Sequence, residues 1–419
     1  MTKEAHFSSE FKETALFAPP SLLKRLAELE VSEGLTASTG AKSSDASLPR
    51  HLVNEIVKVS EAYTRERTEL RQASSSRGGL RARLRFFLPR DLPKAAKPLF
   101  EAAARGALPQ RDRLRILDLG AGLGTTTLSL LRVLHLLGDE RPIDVLAIDR
   151  DPAALKIYRE LLSKPIEGFS EVTSVRVEEG DLALLRGPAG GPLLRPSERF
   201  DLVLIGLAIN EFGRKGHEAD LLALFMDSIT GHLVEGGLVL IVEPALRKES
   251  RGLMKLRDLI AESDALEILG PCMHRMPCPL LLRERDWCHD SLSGEHPEPI
   301  RMLAAEAGLR DSRPTFSWLL LRKQPAGEQS TEALGSNSPQ SAEILRGRLV
   351  SHRLASKGKL EVQLCATTGE LITLRHLDRH RSSENAVFDE IARGDRIEAR
   401  GERRNAALVL GKDGVVKRL

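Results

Sequence analysis

An α/β protein, with a parallel sheet flanked by helices and followed by a separate small β domain, is what this sequence predicts, on three observations. Short apolar runs alternate with helical patterns from Leu114 to Lys323. Glycines at 120, 122 and 124 punctuate one strand-to-helix turn. After a polar stretch the pattern changes to period two, which belongs to half-buried strands. Together they describe a Rossmann-like seven-stranded sheet with an N-terminal helical region and a C-terminal small β-barrel that is OB-like in its element order.

Taken in order, the first element is helical. Val53, Ile56, Val57 and Tyr63, continued by Leu84, Phe87 and Leu88, recur at helix spacing, so residues 51–107 form a helical layer whose apolar stripe is core. The sheet strands are Leu114–Leu119, Asp144–Asp149, Ser174–Glu178, Phe200–Gly206, Gly237–Glu243, Leu266–Gly270 and Phe316–Arg322, seven in number, as in a class I methyltransferase sheet. The glycine turn opens a helix running to about Leu137. Gly34–Ser47 and Pro325–Ser341 are too poor in apolar groups to pack and read as linkers. Beyond them come strands Ile344–Val350, Lys359–Cys365 and Leu371–Leu377, a helix over Glu384–Ala392, then strands Arg396–Arg400 and Ala406–Leu410. The domains expected are therefore 1–110, 111–324, a linker at 325–341 and 342–419.

Composition narrows the function classes. A chain of 419 residues has room for two or three cores. No run approaches the roughly 18 apolar residues of a membrane span, so no membrane partner is expected. Lys3, Glu4, Glu10, Lys12 and Glu13 interrupt the first residues, which argues against a signal peptide and for thiols kept reduced in a cytoplasm. A net charge of +3 announces no polyanion by itself. Locally, however, Arg71, Arg77, Arg81, Arg83, Arg85, Arg90, Lys94 and Lys97 face a single acid, Asp91. Such a run can meet RNA phosphates, although a solvated helix face is the commoner cause of one.

The glycine turn points to a nucleoside ligand. Gly120, Gly122 and Gly124 permit positive φ and close approach of a ligand to the backbone. Alone, such a turn is a weak signal, because it also serves packing. Asp118, two residues ahead, would repel a pyrophosphate but suits a cationic sulfonium and amino group. Asp149, closing the second strand, stands where a carboxylate accepts both ribose hydroxyls. The two favour S-adenosylmethionine (SAM) over a dinucleotide. Asp181 follows the third strand, where the adenine amino group would sit, and Asn210 and Glu211 follow the fourth. Asn210 and Glu211 are the candidates for catalysis, Glu211 as a general base, but no aromatic clamp for a base amine accompanies them.

The chain has four cysteines. Cys272, Cys278 and Cys288 stand close together and Cys365 lies far downstream. Four soft thiolates suit an iron–sulfur cluster or zinc. Pro271, Pro277 and Pro279 beside two of them look like a ferredoxin-type loop, whereas His274 and His289 keep a two-cysteine, two-histidine zinc site open, and spacing does not decide between them.

These pieces resemble the methyltransferase-like assembly factors of the mitochondrial ribosomal small subunit and their bacterial relatives. The matching residues are Asp118–Gly124, Asn210-Glu211, Val242-Glu243-Pro244, the Cys272, His274 and Cys278 run, Trp287-Cys288-His289, Phe316 to Leu319, and Lys357-Gly358 ahead of Cys365. The resemblance covers roughly residues 50–370, and Asp290 departs from it, where relatives carry an aromatic residue. It implies a [4Fe-4S] cluster on Cys272, Cys278, Cys288 and Cys365. It also implies binding of the small-subunit rRNA within the small-subunit precursor, and a monomer off the ribosome. The N-terminus lacks the look of a mitochondrial presequence, so a bacterial cytoplasmic member is expected. Two rivals stay open: an active SAM-dependent rRNA methyltransferase with a structural cluster, and a zinc-stabilised RNA-binding protein with an inactive SAM pocket. Strand parity adds one expectation. Leu360, Val362 and Leu364 share the inner face of their strand, which leaves Cys365 outward and able to reach the other three cysteines.

Overall fold

The computed structural model describes residues 13–36, 50–64, 73–182, 191–209, 218–309, 313–325 and 343–419. It divides into two compact units. The first is Met1–Phe212, His232–Val234 and Leu292–Pro314; the second is Gly213–Gly231, Glu235–Ser291 and Thr315–Leu419. Among the described residues, no helix is long and apolar enough to cross a membrane.

The first unit begins with helices α1 (Pro20–Ser32), α2 (Arg50–Thr64) and α3 (Arg77–Ala82), a π-helical turn at Arg83–Phe87, and α4 (Leu88–Ala104). Pro20 opens α1, where a missing N–H costs nothing, and the Ser76 hydroxyl caps α3 by accepting from Gly79 N. Leu52, Ile56 and Val59 of α2 pack on Ala82, Phe86 and on Ile300 and Leu303 of the helix Glu298–Glu306. Then come β1 (Leu114–Leu119), α5 (Thr125–Leu136), β2 (Ile143–Asp149), α6 (Pro152–Leu162), β3 (Ser174–Glu179) and β4 (Phe200–Gly206). These strands lie in the order β3-β2-β1-β4, all parallel, with Asp118 opposite Ala147 and Leu204. Four parallel strands with α5 and α6 as crossovers make a Rossmann-like half-sheet, whose ligand position lies off the carboxyl ends of the strands.

The second unit holds β5 (Leu233–Pro244) from Glu235 onward, α7 (Arg247–Ala261), β6 (Leu266–Gly270), β7 (Asp290–Ser291) and β8 (Thr315–Lys323). β8 pairs antiparallel with β5, β6 and β7. Among the described residues the α/β strands therefore number eight where the sequence predicts seven. The extra one is β7, two residues long, which is too short to leave an alternating pattern.

After the second linker follow β9 (Glu343–Leu349), β10 (Leu354–Ser356), β11 (Lys359–Ala366), β12 (Leu371–Leu377), β13 (Arg396–Arg404), β14 (Ala407–Leu410) and β15 (Val415–Arg418). β9, β11, β12, β14 and β13 close a ring, because β9 pairs with both β11 and β13. Only the β12–β14 pair is parallel. Leu345, Val362, Leu364, Ile372, Leu374 and Phe388 fill the interior. β10 and β15 were not expected. The helix predicted over Glu384–Ala392 is a 3₁₀ segment, Ser383–Asp389. The Asn385 amide donates to His380 O and Gly411 O, which ties the turn to neighbouring loops in place of a longer helical ladder. Most of both expected linkers lies outside the described residues.

Candidate functional sites

The glycine turn takes the conformation its residues require. Gly120, Gly122 and Gly124 have φ of 67°, 52° and 93°. A Cβ on Gly120 would lie 2.5 Å from Ala208 Cβ, and one on Gly124 would lie 2.9 Å from the Tyr158 ring, so neither position admits a side chain. Gly120 N and Ala121 N donate to Ile148 O at 2.8 and 3.1 Å, fastening the turn to the end of β2. There the Asp149 carboxylate accepts from Gly122 N at 2.8 Å and from Asp151 N at 2.9 Å. Each oxygen keeps a second lone pair for a ligand hydroxyl.

Asp118 lies beneath the turn with 0% exposure. Its Oδ2 accepts from the Thr127 hydroxyl at 2.7 Å, and that hydroxyl lies 2.7 Å from Tyr158 OH. Among the described residues, its Oδ1 has no hydrogen-bond partner. Burial, reinforced by the charge of Asp149 and opposed by the Thr127 bond, pushes the carboxyl up to about 7. A buried acid with an open oxygen is a place for a cationic donor. Thr127 and Tyr158 escaped sequence reading because helix periodicity makes both look like core. Asp151 was missed as well, although Asp151-Pro152 carries the signal of an N-cap followed by proline at the first helical position; its side chain accepts from Ala153 N and Ala154 N.

The remaining residues proposed for this site divide. Asp181 is described and half-buried just after β3, beside Leu182, whose Cδ1 lies 3.4 Å from a Cβ built on Gly120. Asn210 and Glu211 lie outside the described residues.

The basic stretch is not an open phosphate-binding face. Arg81 and Arg85 both pair with the buried Glu30, Arg83 pairs with Asp151 at 3.3 Å, and Lys94 pairs with Asp91 at 2.7 Å. Lys97 meets Glu13 at 2.6 Å, and Arg77 donates to Gly34 O and to Thr36 O. Folding brings acids from α1 and the segment before it onto these cations, and sequence counting over residues 71–97 sees only Asp91. Arg71 lies outside the described residues.

The four cysteines belong to the second unit, and none is in a disulfide. Cys278 and Cys365 share one apolar cluster with Met254, Leu280 and Val350, and Trp287 and Cys288 pack against it. Cys365 thus faces away from the barrel interior held by its neighbours Leu364 and Ala366. Cys272, Cys278, Cys288, Arg257 and Asp290 line a common cavity. His274 Nε2 lies 3.2 Å from Cys365 Sγ, and Cys278 N donates to both Asp258 oxygens at 3.0 and 3.1 Å.

Burial pushes all four thiols up, Cys278 to about 11, and each neighbouring thiolate would add to the rise at Cys278, Cys288 and Cys365. Positive charge opposes this, from Arg257 and Arg348 at Cys272. Burial also depresses His274 and His289 to about 4, so both rings are neutral near pH 7. Among the described residues, no three His, Cys, Asp or Glu side chains converge in a geometry that holds a metal ion.

Beside the thiols, Arg348 of β9 pairs with Asp290 of β7, and both are under 5% exposed. Trp318 Nε1 donates to Asp290 Oδ2 at 2.6 Å, and Arg348 lies 5.0 Å over the Trp318 ring. Asp290, the departure from the family pattern, is therefore a buried anchor between barrel and β8. Nothing local in sequence marks Arg348 as its partner.

Parallel strands ending in a glycine turn with Asp118 beneath it and Asp149 beside it define a methyltransferase-like Rossmann protein, here carrying a cysteine-rich region and a closed five-stranded barrel. The family model described as mitochondrial small ribosomal subunit Rsm22 matches residues 94–384, more than half of the chain, and the chain belongs to that family. Solved structures with similarity include a precorrin-6y C5,15-methyltransferase from Geobacter metallireducens, 16% identical over 55% of this chain and 88% of that one, with a TM-score of 0.30. TrmN from Thermus thermophilus is 18% identical over 56% of this chain and 52% of that one, TM-score 0.30. A plantazolicin methyltransferase solved with S-adenosylhomocysteine is 12% identical over 73% of this chain and 99% of that one, TM-score 0.34. Similarity this low leaves the fold resting on the strand order and turn described above. No curated protein sequence matches the chain at a significant level.

Proposed function

We propose that this protein is an assembly factor of the ribosomal small subunit that binds SAM at the glycine turn, carries a [4Fe-4S] cluster on Cys272, Cys278, Cys288 and Cys365, and binds small-subunit rRNA in a bacterial cytoplasm. The gathering of all four cysteines around one buried region, with Cys365 arriving from a distant strand, carries the reading. The family name supports the ribosomal part.

The residues fit both groups. At the turn, Asp149 would take the ribose hydroxyls, and the open Oδ1 of Asp118 and the α5 N-terminus complete a polar cradle. SAM would supply an electrophilic methyl group there. At the cysteines, a four-iron cube takes each thiolate at a different iron, so its donors need not converge on one point as zinc demands. Arg257, Arg348 and Arg393 would offset the thiolate charge. The ring order β9-β11-β12-β14-β13 is that of an OB-like barrel, and the exposed β10–β11 hairpin with Arg353 and Lys357 is the loop such barrels turn toward oligonucleotides.

Protein purified without oxygen should contain about four iron and four sulfide per chain. Zinc in place of iron would establish the zinc-stabilised alternative. Labelled SAM incubated with immature small subunits should leave no label on rRNA; stoichiometric transfer would make the protein an active rRNA methyltransferase with a structural cluster. Failure to co-sediment with small-subunit precursors would end the assembly reading.

A further inference from the structure

The basic stretch contains one residue whose direction differs from that of its neighbours. Arg81 and Arg85 are four positions apart, share a helix face and both reach Glu30. Arg83, between them, points to the opposite side, where Asp151 and the glycine turn lie. A Cβ built on Gly122 would stand 2.9 Å from Arg83 Nη2, so the guanidinium rests directly over the turn. Its bonds run from Nη1, to Asp151 Oδ2 at 3.3 Å and to Ser74 O at 3.5 Å. Asp151 is itself pinned, its Oδ1 capping α6 and its Oδ2 accepting from the Ser75 hydroxyl at 2.8 Å. The π-helical turn at Arg83–Phe87 places this residue, as such irregular turns often do at functional sites.

The acids around the turn ask for such a group. Asp118, Asp149 and Asp151 are acids, well suited to hydroxyls and to an ammonium and hostile to a carboxylate. The aminoacyl end of SAM carries both an ammonium and a carboxylate. A planar guanidinium held over the turn gives the carboxylate its partner, with two parallel N–H donors available to it.

We propose that Arg83 receives the carboxylate of the aminoacyl end of a SAM-type ligand, with Asp151 as the residue that positions it. This rests on the reading of the glycine turn as a SAM site. The test is calorimetry of the full chain with two probes, S-adenosylhomocysteine, which has the carboxylate, and 5′-methylthioadenosine, which lacks it. Arg83→Gln should weaken S-adenosylhomocysteine by about 10–100-fold, the loss expected of a charge-assisted bond, and leave methylthioadenosine within about twofold. Arg83→Lys should fall between. Equal loss for both probes, or no loss for either, would overturn the assignment while leaving the SAM site standing. Should Arg83→Gln not fold, the ratio of the two affinities in wild type and Arg83→Lys decides, and a ratio unchanged by lysine overturns it. Wild type that binds neither probe overturns the SAM reading and this inference together.

Discussion

The glycine turn and the thiol cavity are both buried polar sites, but they are assembled at different ranges. The turn draws Asp118, the three glycines, Asp149 and Asp151 from one β-α-β stretch, and backbone N–H groups fasten it to Asp149 and Ile148. The thiol region draws Cys272 from the end of β6, Cys278 and Cys288 from two loops, and Cys365, packed in one apolar cluster with Cys278, from a barrel strand. Their electrostatics differ in sign. The turn holds an acid pushed up to about 7 with one oxygen open to a cation. The cavity holds thiols that burial keeps protonated, facing arginines that would welcome their ionisation. The turn therefore has its polar groups in place from local sequence, whereas the thiols, gathered from distant segments, stay protonated in their buried region.

The strongest test of this contrast is the loss of one distant thiol. With the proposed [4Fe-4S] ligation, Cys365→Ser should remove most of the absorbance near 400 nm and most of the iron, because one of the four thiolate ligands is lost. Full iron content in that variant would remove Cys365 from the proposed ligand set.

Breaking the anchor beside the thiols comes next. Arg348→Ala leaves Asp290 buried without its charge partner and should cost about 3–5 kcal/mol in urea unfolding. A cost under about 1 kcal/mol would mean that Asp290 finds solvent or another partner.

At the turn the effect depends on pH. Folding raises the Asp118 pKa from 3.8 to about 7, so the native state holds the proton more tightly than the unfolded chain. Its contribution to stability accordingly falls as pH rises between those values, by no more than about 4 kcal/mol. Asp118→Asn should unfold at higher urea than wild type by a margin that grows from pH 4 to pH 7 and is constant above. A margin independent of pH would show that the carboxyl is not desolvated.

The smallest effect concerns RNA. Arg353→Ala with Lys357→Ala should flatten the salt dependence of rRNA binding by roughly 2 units, whereas Arg81→Ala with Arg85→Ala should leave the slope unchanged. The reverse result would return RNA binding to the basic stretch.

The fold was legible where periodicity is long and local. β1, β4 and β6 begin and end at the residues expected, and β5 starts earlier, at Leu233, ahead of Gly236-Gly237, where the glycine pair reads as a break. β7 and β10, of two and three residues, were not legible, since no pattern accumulates over so few positions. At the sites, Gly120, Gly122, Gly124, Asp118 and Asp149 were readable because their spacing within a strand–turn–helix is itself the geometry. Strand parity likewise told which face of β11 carries Cys365. What parity could not tell is what that face meets, nor that Glu30 neutralises Arg81 and Arg85, that Arg348 reaches Asp290, or that Arg83 lies over Gly122. Those pairings join residues far apart in the chain. Side-chain type and local period determine how a segment folds and which way it faces; which charge it finds there is decided only when distant segments pack together and water is removed between them.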